Sequence, residues 1–565
     1  MLARVCPLSY DSQYRIPIML PPYRNGAVER TSSVRVASHN TFCSQRVKAT
    51  RNRLARRHTR QSTIVPARSM KRVDDDEVLC WRHRVMKGTV GGILAVVLTL
   101  TPPGIASMLT AQELPEIPST FPPIAEVKLP PYKMVELSNG LRVFLLEDHE
   151  IGIVNGSLLM KGGARGDPAD KVGVAAIAAA VQRSGGSEAH PASELDGALE
   201  DLAAYVEVRA SAGSVAASFG ALAEDADQVV GLFGEVVRAP RFPDTRLQLA
   251  KDAVLDRLEH RNDQASAIPR RELAKVLYGS DSVFAREPVV KNVQEMSTAD
   301  LRSYYEKWER PDNAVLGICG DFDTNHMIEL VNKVFGDWAP ASGQPETPYA
   351  VPNSPVPEQR PSTIYLVDKP GAVQASVAMG QLGTLLDDPD IHALDALNGM
   401  LNGFGGRLFN EVRSREGLAY SVSGAFSPGL DHPGTFVVGA ETQSPAQLIA
   451  AVKRVLNETR TAELPESELN QAKEKALNSF VFNFSNSSSQ LNRIIAYALF
   501  DIPQEYLFDY RNGLVATSTL DVLGASQRHL QPEDLQIVVV GDAKSVEPKL
   551  KDLLGIPVQR LDVGK

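Results

Sequence analysis

Arg310-Pro311-Asp312-Asn313 leads into the apolar stretch Ala314-Val315-Leu316-Gly317-Ile318-Cys319 and ends on Gly320-Asp321. Farther along, Gln531-Pro532-Glu533-Asp534 leads into Leu535-Gln536-Ile537-Val538-Val539-Val540 and ends on Gly541-Asp542. The prolines and the Gly-Asp pairs are both 221 residues apart, and Asp167-Pro168 and Asp388-Pro389 share that spacing. Three landmarks at one offset mark an internal duplication. The folded body therefore reads as two copies of one unit, over residues 134–345 and 362–560. A proline-rich linker at 346–361 joins them.

Each copy mixes two periodicities. Short apolar runs at 141–146, 153–160, 363–367 and 375–380 read as strands, while 193–204, 223–238 and 243–259 carry the wider spacing of amphipathic helices. Strands interleaved with helices of that length predict an α+β unit in which helices cover one face of a sheet. A chain of 565 residues also exceeds what one core usually organises.

Charge divides the sequence differently. Residues 1–73 hold 15 Lys and Arg against only Asp11 and Glu29, so the net charge of −9 conceals a body near −22. An acidic body repels phosphate, which argues against nucleic acid as a partner. The Arg- and Ser-rich start, poor in acids, has the composition of an organelle transit peptide, expected to be disordered. Residues 74–111 come next, with Arg82, Arg84 and Lys87, an apolar run at 90–100, and the small residues Gly104, Ala106, Ser107 and Ala111. That is a second targeting signal, too short for a helix of about 20 residues that spans a membrane. Any membrane contact is expected only through 89–111. A transit peptide ahead of an export signal predicts a chloroplast protein of the thylakoid lumen, with a mitochondrion or a bacterial periplasm as alternatives. Residues 112–133, with six prolines, read as an extended linker.

Metal-binding residue types are sparse. Cys6, Cys43 and Cys80 precede the body, leaving Cys319 alone in what reads as a buried strand. A lone thiol there behaves as a small apolar group. The body's histidines are His149, His190, His260, His326, His392, His432 and His529. No two are three or four residues apart, so no helix face presents a pair. His260 beside Glu259 comes nearest to a ligand and lacks companions.

Several segments together resemble one family. Leu137-Ser138-Asn139-Gly140-Leu141-Arg142-Val143 resembles the first strand of the insulinase/pitrilysin (inverted zinc motif) peptidases, which include the mitochondrial processing peptidase. Lys161-Gly162-Gly163-Ala164-Arg165-Gly166-Asp167-Pro168 resembles the loop before their zinc helix. In the second copy, Gly405-Gly406-Arg407-Leu408-Phe409-Asn410-Glu411-Val412-Arg413, continuing through Gly417-Leu418-Ala419-Tyr420-Ser421-Val422, is similar to the family's most diagnostic stretch. The resemblance implies an insulinase-like metallopeptidase fold, two tandem repeats each with a mostly antiparallel sheet.

Active relatives continue into a helix reading G-x-A-H-x-x-E-H. Its histidines share one helix face to hold zinc, and its glutamate activates the bound water. Here the matching residues are Gly173-Val174-Ala175-Ala176-Ile177-Ala178-Ala179-Ala180. Ala176 and Ala180 stand at the histidine positions and Ala179 at the general-base position. The family's third ligand, a glutamate, falls on Arg257. A methyl group has no lone pair, and a guanidinium repels a cation. The resemblance thus implies no catalytic residue and no metal in this chain, with zinc expected only in a partner subunit. The Ala run also reads as a tightly packed helix, which is compatible.

By family position Arg413 and Tyr420 are substrate-binding residues, suited to peptide carbonyls. The plain alternative is that Arg413 pairs with Glu411 or Glu416 while Tyr420 is core. Gly399, Gly403, Gly405 and Gly406 read as a mobile loop before them. The expected function is a non-catalytic, substrate-binding or regulatory subunit of a heterodimeric zinc metalloendopeptidase, for protein or peptide processing or degradation. Its partners would be a zinc-bearing homologous subunit and an extended peptide or unfolded protein. Two other readings stand beside it: a structural or assembly scaffold like the core proteins of the respiratory cytochrome bc complex, and an active peptidase with unrecognised ligands.

Overall fold

The computed structural model describes residues 130–339, 360–484 and 486–564. The transit segment 1–73, the second targeting segment 74–111, and most of the linkers 112–133 and 346–361 lie outside the described residues.

Two six-stranded sheets form the frame. The first contains β1 (Lys133–Glu136), β2 (Arg142–Glu147), β3 (Ile153–Lys161), β4 (Tyr205–Ala210), β5 (Ser214–Leu222) and β6 (Ala314–Gly320), in the order β1-β2-β6-β3-β5-β4. The second contains β7 (Ile364–Asp368), β8 (Ala375–Leu382), β9 (Val422–Ser427), β10 (Thr435–Thr442), β11 (Gln536–Gly541) and β12 (Val558–Arg560), in the order β12-β7-β11-β8-β10-β9. Removing the outer strands β1 and β12 leaves the same five-stranded topology twice. Only the pairings β2 with β6, β7 with β11 and β12 with β7 are parallel; the others are antiparallel. β6 and β11, the strands of the duplicated motif, are buried along their whole length. Burial on both faces is why they read as unbroken apolar runs rather than alternating ones.

The helices that bear on the site are α1 (Val174–Gly185), α2 (Asp244–His260), α3 (Ile268–Tyr278), α4 (Thr298–Trp308), α5 (Ile391–Leu401), α6 (Pro445–Thr461), α7 (Ser487–Leu499) and α8 (Thr519–His529). α4 and α8 begin with the same device. Ser297 and Asp300 form a capping box at one, and Ser518 and Asp521 form it at the other, again 221 residues apart. Each box satisfies two backbone N–H groups that a helix start leaves unpaired.

Element boundaries differ from the sequence reading in small ways. The body begins before residue 134, because Lys133 already belongs to β1 and the Tyr132 ring lies 5.6 Å from that of Phe144. It continues beyond 560, where Leu561 N donates to Leu366 O at 2.9 Å. The helix expected at 193–204 stops at Asp201, since Ala203 turns to a φ of 51° ahead of β4.

The sheets are covered more fully than the sequence predicts. In place of helices on one face only, the opposite face is covered too, by a helix from the other repeat. α7 of the second repeat sets Leu491, Ile494, Ile495 and Leu499 against Phe144, Leu146, Val315 and Cys319 of the first sheet. α3 of the first repeat sets Ile268, Leu273 and Leu277 against Val367, Ala378, Val538 and Val540 of the second. α7 comes so close to β6 that a Cβ at Gly317 would sit 2.8 Å from Ile495 Cγ2. The Cys319 thiol faces this seam, 3.2 Å from Ser488 Oγ, and burial raises its pKa. No helix among the described residues is long and apolar enough to cross a membrane.

Candidate functional site

The loop ahead of α1 is held from several sides. Tyr304 Oη donates to Gly163 O at 3.1 Å and Trp308 Nε1 to Gly166 O at 3.3 Å, so α4 fixes the loop from behind. Gly163 has a φ of +65°, and a Cβ there would lie 2.4 Å from Ser211 O; only glycine fits. The Asp167 carboxylate accepts from Gly173 N at 2.6 Å and Ala175 N at 3.0 Å, which anchors the first turn of α1. Burial pushes the pKa of Asp167 up to about 6, opposed by those two N–H groups and by Arg286. Arg286 also donates to the carbonyls of Arg165 and Asp167.

Beyond this loop, α1 itself is chemically bare. Ala176 and Ala180 are exposed, one turn apart on the same face of the helix. Ala179 is 2% exposed and belongs to the core beside Ile177, Ala178 and Val181. α2 runs against α1 and carries Arg257, which is exposed and has Ala253 O as its hydrogen-bond acceptor at 3.5 Å. Three methyl groups and a guanidinium supply no electron pair to a divalent cation. Zinc, the ion implied by the family resemblance, does not fit these residues.

Carboxylates engage most of the histidines, while His392 keeps a buried Nδ1 without a hydrogen-bond partner among the described residues. His149 lies 2.6 Å from Asp321 and 2.9 Å from Glu147, and Glu235 contacts His190 at 2.7 Å. Asp263 takes His260 at 2.8 Å and Asp227 takes His326 at 2.9 Å, all as ordinary ion-pair partners. One grouping escapes a reading of the sequence because it joins distant positions: Asp388, Asp390 and His529 form the only set of three metal-type side chains among the described residues. Arg528 already occupies it, with Nε and Nη2 at 2.6 and 2.7 Å from the two oxygens of Asp390. That guanidinium, with His529, holds the Asp390 carboxyl below its usual range. The cluster is a network of ion pairs rather than a cage for a cation.

The second repeat keeps a more reactive surface. The glycine loop before it is tied down rather than loose. Gly399 lies inside α5, and Asn402 bridges to Gly424 through Nδ2 at 2.7 Å and Oδ1 at 2.9 Å. Lys475 Nζ donates to Phe404 O at 2.9 Å, and Asn410 Nδ2 to Gly405 O at 3.0 Å. Residues Phe409–Arg415 then form a wide π-type helical turn. It brings the Arg413 guanidinium to 4.7 Å from the centre of the Phe409 ring and 4.7 Å from that of Tyr420. The plain alternative for these two residues does not hold. Glu411 pairs with Arg415 at 2.8 Å and Glu416 pairs with Arg454, while Tyr420 is 73% exposed. Among the described residues Arg413 has no carboxylate partner. Sequence reasoning gives Phe409 no role; its spacing of four residues from Arg413 is the one signal that could have marked it. No hydrogen bond or ring contact joins Arg413 or Tyr420 to the alanine face of α1. The loop ahead of α1 reaches the second repeat instead through Arg165, whose Nη1 lies 3.1 Å from Asp431 Oδ1.

A duplicated α+β unit with a glycine-rich loop, a helix emptied of metal ligands and an arginine–tyrosine surface in its second copy defines a peptidase-like protein without a zinc site. Residues 142–285 match the family described as Insulinase (Peptidase family M16), and 295–476 match the family described as Peptidase M16 inactive domain. The chain belongs to the insulinase (M16) peptidase family. Among its relatives, the "Non-peptidase homolog YmxG" of Helicobacter pylori is 22% identical over 392 residues, covering 68% of this chain and 88% of the relative. The "Uncharacterized zinc protease YmxG" of Bacillus subtilis is 23% identical over 280 residues, 48% of this chain and 65% of the relative. A solved "peptidase M16 inactive domain" from Pseudomonas fluorescens superposes with a TM-score of 0.64 at 24% identity, over 73% of this chain and 98% of the other. A solved protease from Helicobacter pylori gives 0.65 at 19% identity, over 73% and 100%. These structural likenesses show the fold.

Proposed function

We propose that this chain is a non-catalytic, substrate-binding subunit that works beside a homologous zinc-bearing peptidase subunit in protein or peptide processing or degradation. The observation that carries the reading is the contrast between two surfaces. Around α1 the loop, cap and helix are intact, but every position for a ligand or a base is a methyl group or a guanidinium. In the second repeat Tyr420 stays exposed, and Arg413, half-buried beside it, has no acidic partner among the described residues. A decayed fold would have lost both, and a free-standing peptidase would need the first. The relative described as a non-peptidase homolog supports a family branch of this kind.

The substrate would be an extended or unfolded chain. β4 and β9 end the two sheets, but Asn398 and Asn402 already hold the outer backbone groups of Phe426 and Gly424 in β9, and Arg183 holds Val206 O in β4, so an added strand would pair along the remainder of β4. Zinc belongs to the partner. The basic start of the chain and the apolar run after it support a location in the thylakoid lumen of the chloroplast.

Purification of the full chain from its native compartment under gentle conditions tests this directly. The expected companion is a homologue with an intact H-x-x-E-H helix. A clean homodimer without such a companion would sink the proposal. If R413A and Y420F leave the activity of the recovered complex unchanged, the scaffold reading replaces it. Stoichiometric zinc in the isolated chain, with turnover that a chelator abolishes, would instead establish a peptidase with unforeseen ligands.

A further inference from the structure

We infer that Arg413 is a carboxylate receptor, so that the peptide bound at this surface presents an acid group to it: its C-terminus or an Asp or Glu side chain. The inference rests on the peptide-binding reading above and adds the chemistry of the group recognised.

Three observations carry it. The guanidinium carbon lies 4.7 Å from the centre of the Phe409 ring and 4.7 Å from that of Tyr420, so two aromatic rings hold the side chain. A guanidinium is planar, and its hydrogen-bond donors are the N–H groups along its edge. Those groups are also free. Arg413 makes no hydrogen bond and no ion pair among the described residues, and although the side chain is half-buried none of its nitrogens is fully buried. Finally, the neighbouring acids are already neutralised. Arg415 and Arg454 hold Glu411, and Arg454 also holds Glu416. Arg454 pairs with Glu458 as well, so the nearby glutamates are met by Arg415 and Arg454 and none of them occupies Arg413.

An edge with parallel N–H donors discriminates between acceptors. A neutral peptide carbonyl takes one N–H, whereas a carboxylate takes two at once with opposite charge. The ring stack holds the guanidinium plane in place before the ligand arrives, so less side-chain freedom is lost on binding. Phe404, 61% exposed with its ring 4.9 Å from that of Phe409, extends the stack outward. Phe409 is thus a positioning residue that acts through Arg413.

Calorimetric titration of the full chain with one extended peptide in three forms tests the inference. The first has a free C-terminal carboxylate and no acidic side chain. In the second the C-terminus is an amide and one central residue is Glu. The third is the same amide with Gln in place of that Glu. At least one acid form is expected to bind about tenfold or more tightly than the third, which corresponds to one charged hydrogen-bonding group. The form that binds tightly identifies whether the chain end or a side chain is read. R413K keeps the charge but loses the planar edge, so it should bring the three forms within about threefold of one another. F409L should narrow the gap by removing one of the two rings that hold Arg413. If all three forms bind equally well to the unmodified chain, carboxylate recognition is wrong while peptide binding stands. If none binds, both fail together.

Discussion

A carboxyl group cut off from water has to be compensated or protonated, and Glu309 is such a group. It sits just after α4, fully buried, and Gln182 of α1 donates to its Oε2 at 2.8 Å. Its Oε1 and the Oε1 of Gln182 are both buried without a partner. A proton on the acid supplies the donor that neither oxygen otherwise has. Burial raises the pKa of Glu309 from an ordinary 4.5 to about 8, against the opposing pull of Gln182. Linkage gives the sign. A group whose pKa is raised on folding adds stability that is complete below its unfolded value and is lost as pH climbs through the folded one. This contribution should therefore fade between 4.5 and about 8, and be on the order of a few kcal/mol. Asp167 and Asp395, both raised by burial to about 6, add a shallower loss at lower pH. Urea unfolding followed across that range should show the wild type weakening with rising pH. E309Q keeps the shape but cannot titrate, so it should lose the part due to Glu309 and keep the shallower part due to Asp167 and Asp395. Parallel profiles for the two proteins would mean that Glu309 is charged and compensated in the fold.

At the scale of elements, α1 and α2 make the assignment of the lost zinc site open to reconstruction. Ala176 and Ala180 are exposed, so histidine at both should cost little, within about 0.5 kcal/mol each. Ala179 is buried in the core, and glutamate there should cost several kcal/mol, roughly the penalty for an uncompensated polar group. The variant A176H/A180H/R257E should take up zinc after dialysis, while A176H/A180H with Arg257 retained should bind it at least about tenfold more weakly, since a third ligand is replaced by a repelling charge. Absence of zinc from the triple variant would show that α1 and α2 do not stand in the register that the residue-by-residue comparison assigns. Much of this level was legible in the sequence. The strands around Ala314–Gly320 and Gln536–Gly541 were marked by their turns, and the bare helix by its alanines. Less legible was anything set by three-dimensional neighbours. Leu273 and Leu491 look like the apolar face of any helix, and nothing in their spacing says that each lies on the sheet of the other repeat. The stack on Arg413 was hidden for a similar reason: Glu411 and Glu416 are nearer in sequence, but Arg454, far along the chain, claims them.

For the whole molecule, the exchanged helices decide how the chain comes apart. If α3 and α7 served only their own repeats, the two sheets would unfold independently. Instead, removing either repeat strips an apolar layer from the other: Leu491, Ile494, Ile495 and Leu499 from the first sheet, Ile268, Leu273 and Leu277 from the second. Each such side chain carries about 1.5–3 kcal/mol of burial, so together they rival the net stability of a domain. Arg165 and Asp431 add a largely buried ion pair across the same boundary, and the His432 ring stacks on Phe284 at 3.8 Å. Breaking such a pair from one side leaves a charge without compensation, which costs about 3–5 kcal/mol. Scanning calorimetry of the folded body should therefore give one transition whose calorimetric and van't Hoff enthalpies agree. I495A empties a fully buried site on α7 and should shift that whole transition downward by the cost of a core cavity, about 2–5 kcal/mol, without splitting it. R165A should also shift it as one. Two resolved transitions in the wild type, or a variant in which only one repeat melts early, would show that the repeats are merely adjacent. The joined repeats hold the alanine helix α1 in one and Arg413 in the other, so neither would keep its place if the other unfolded alone.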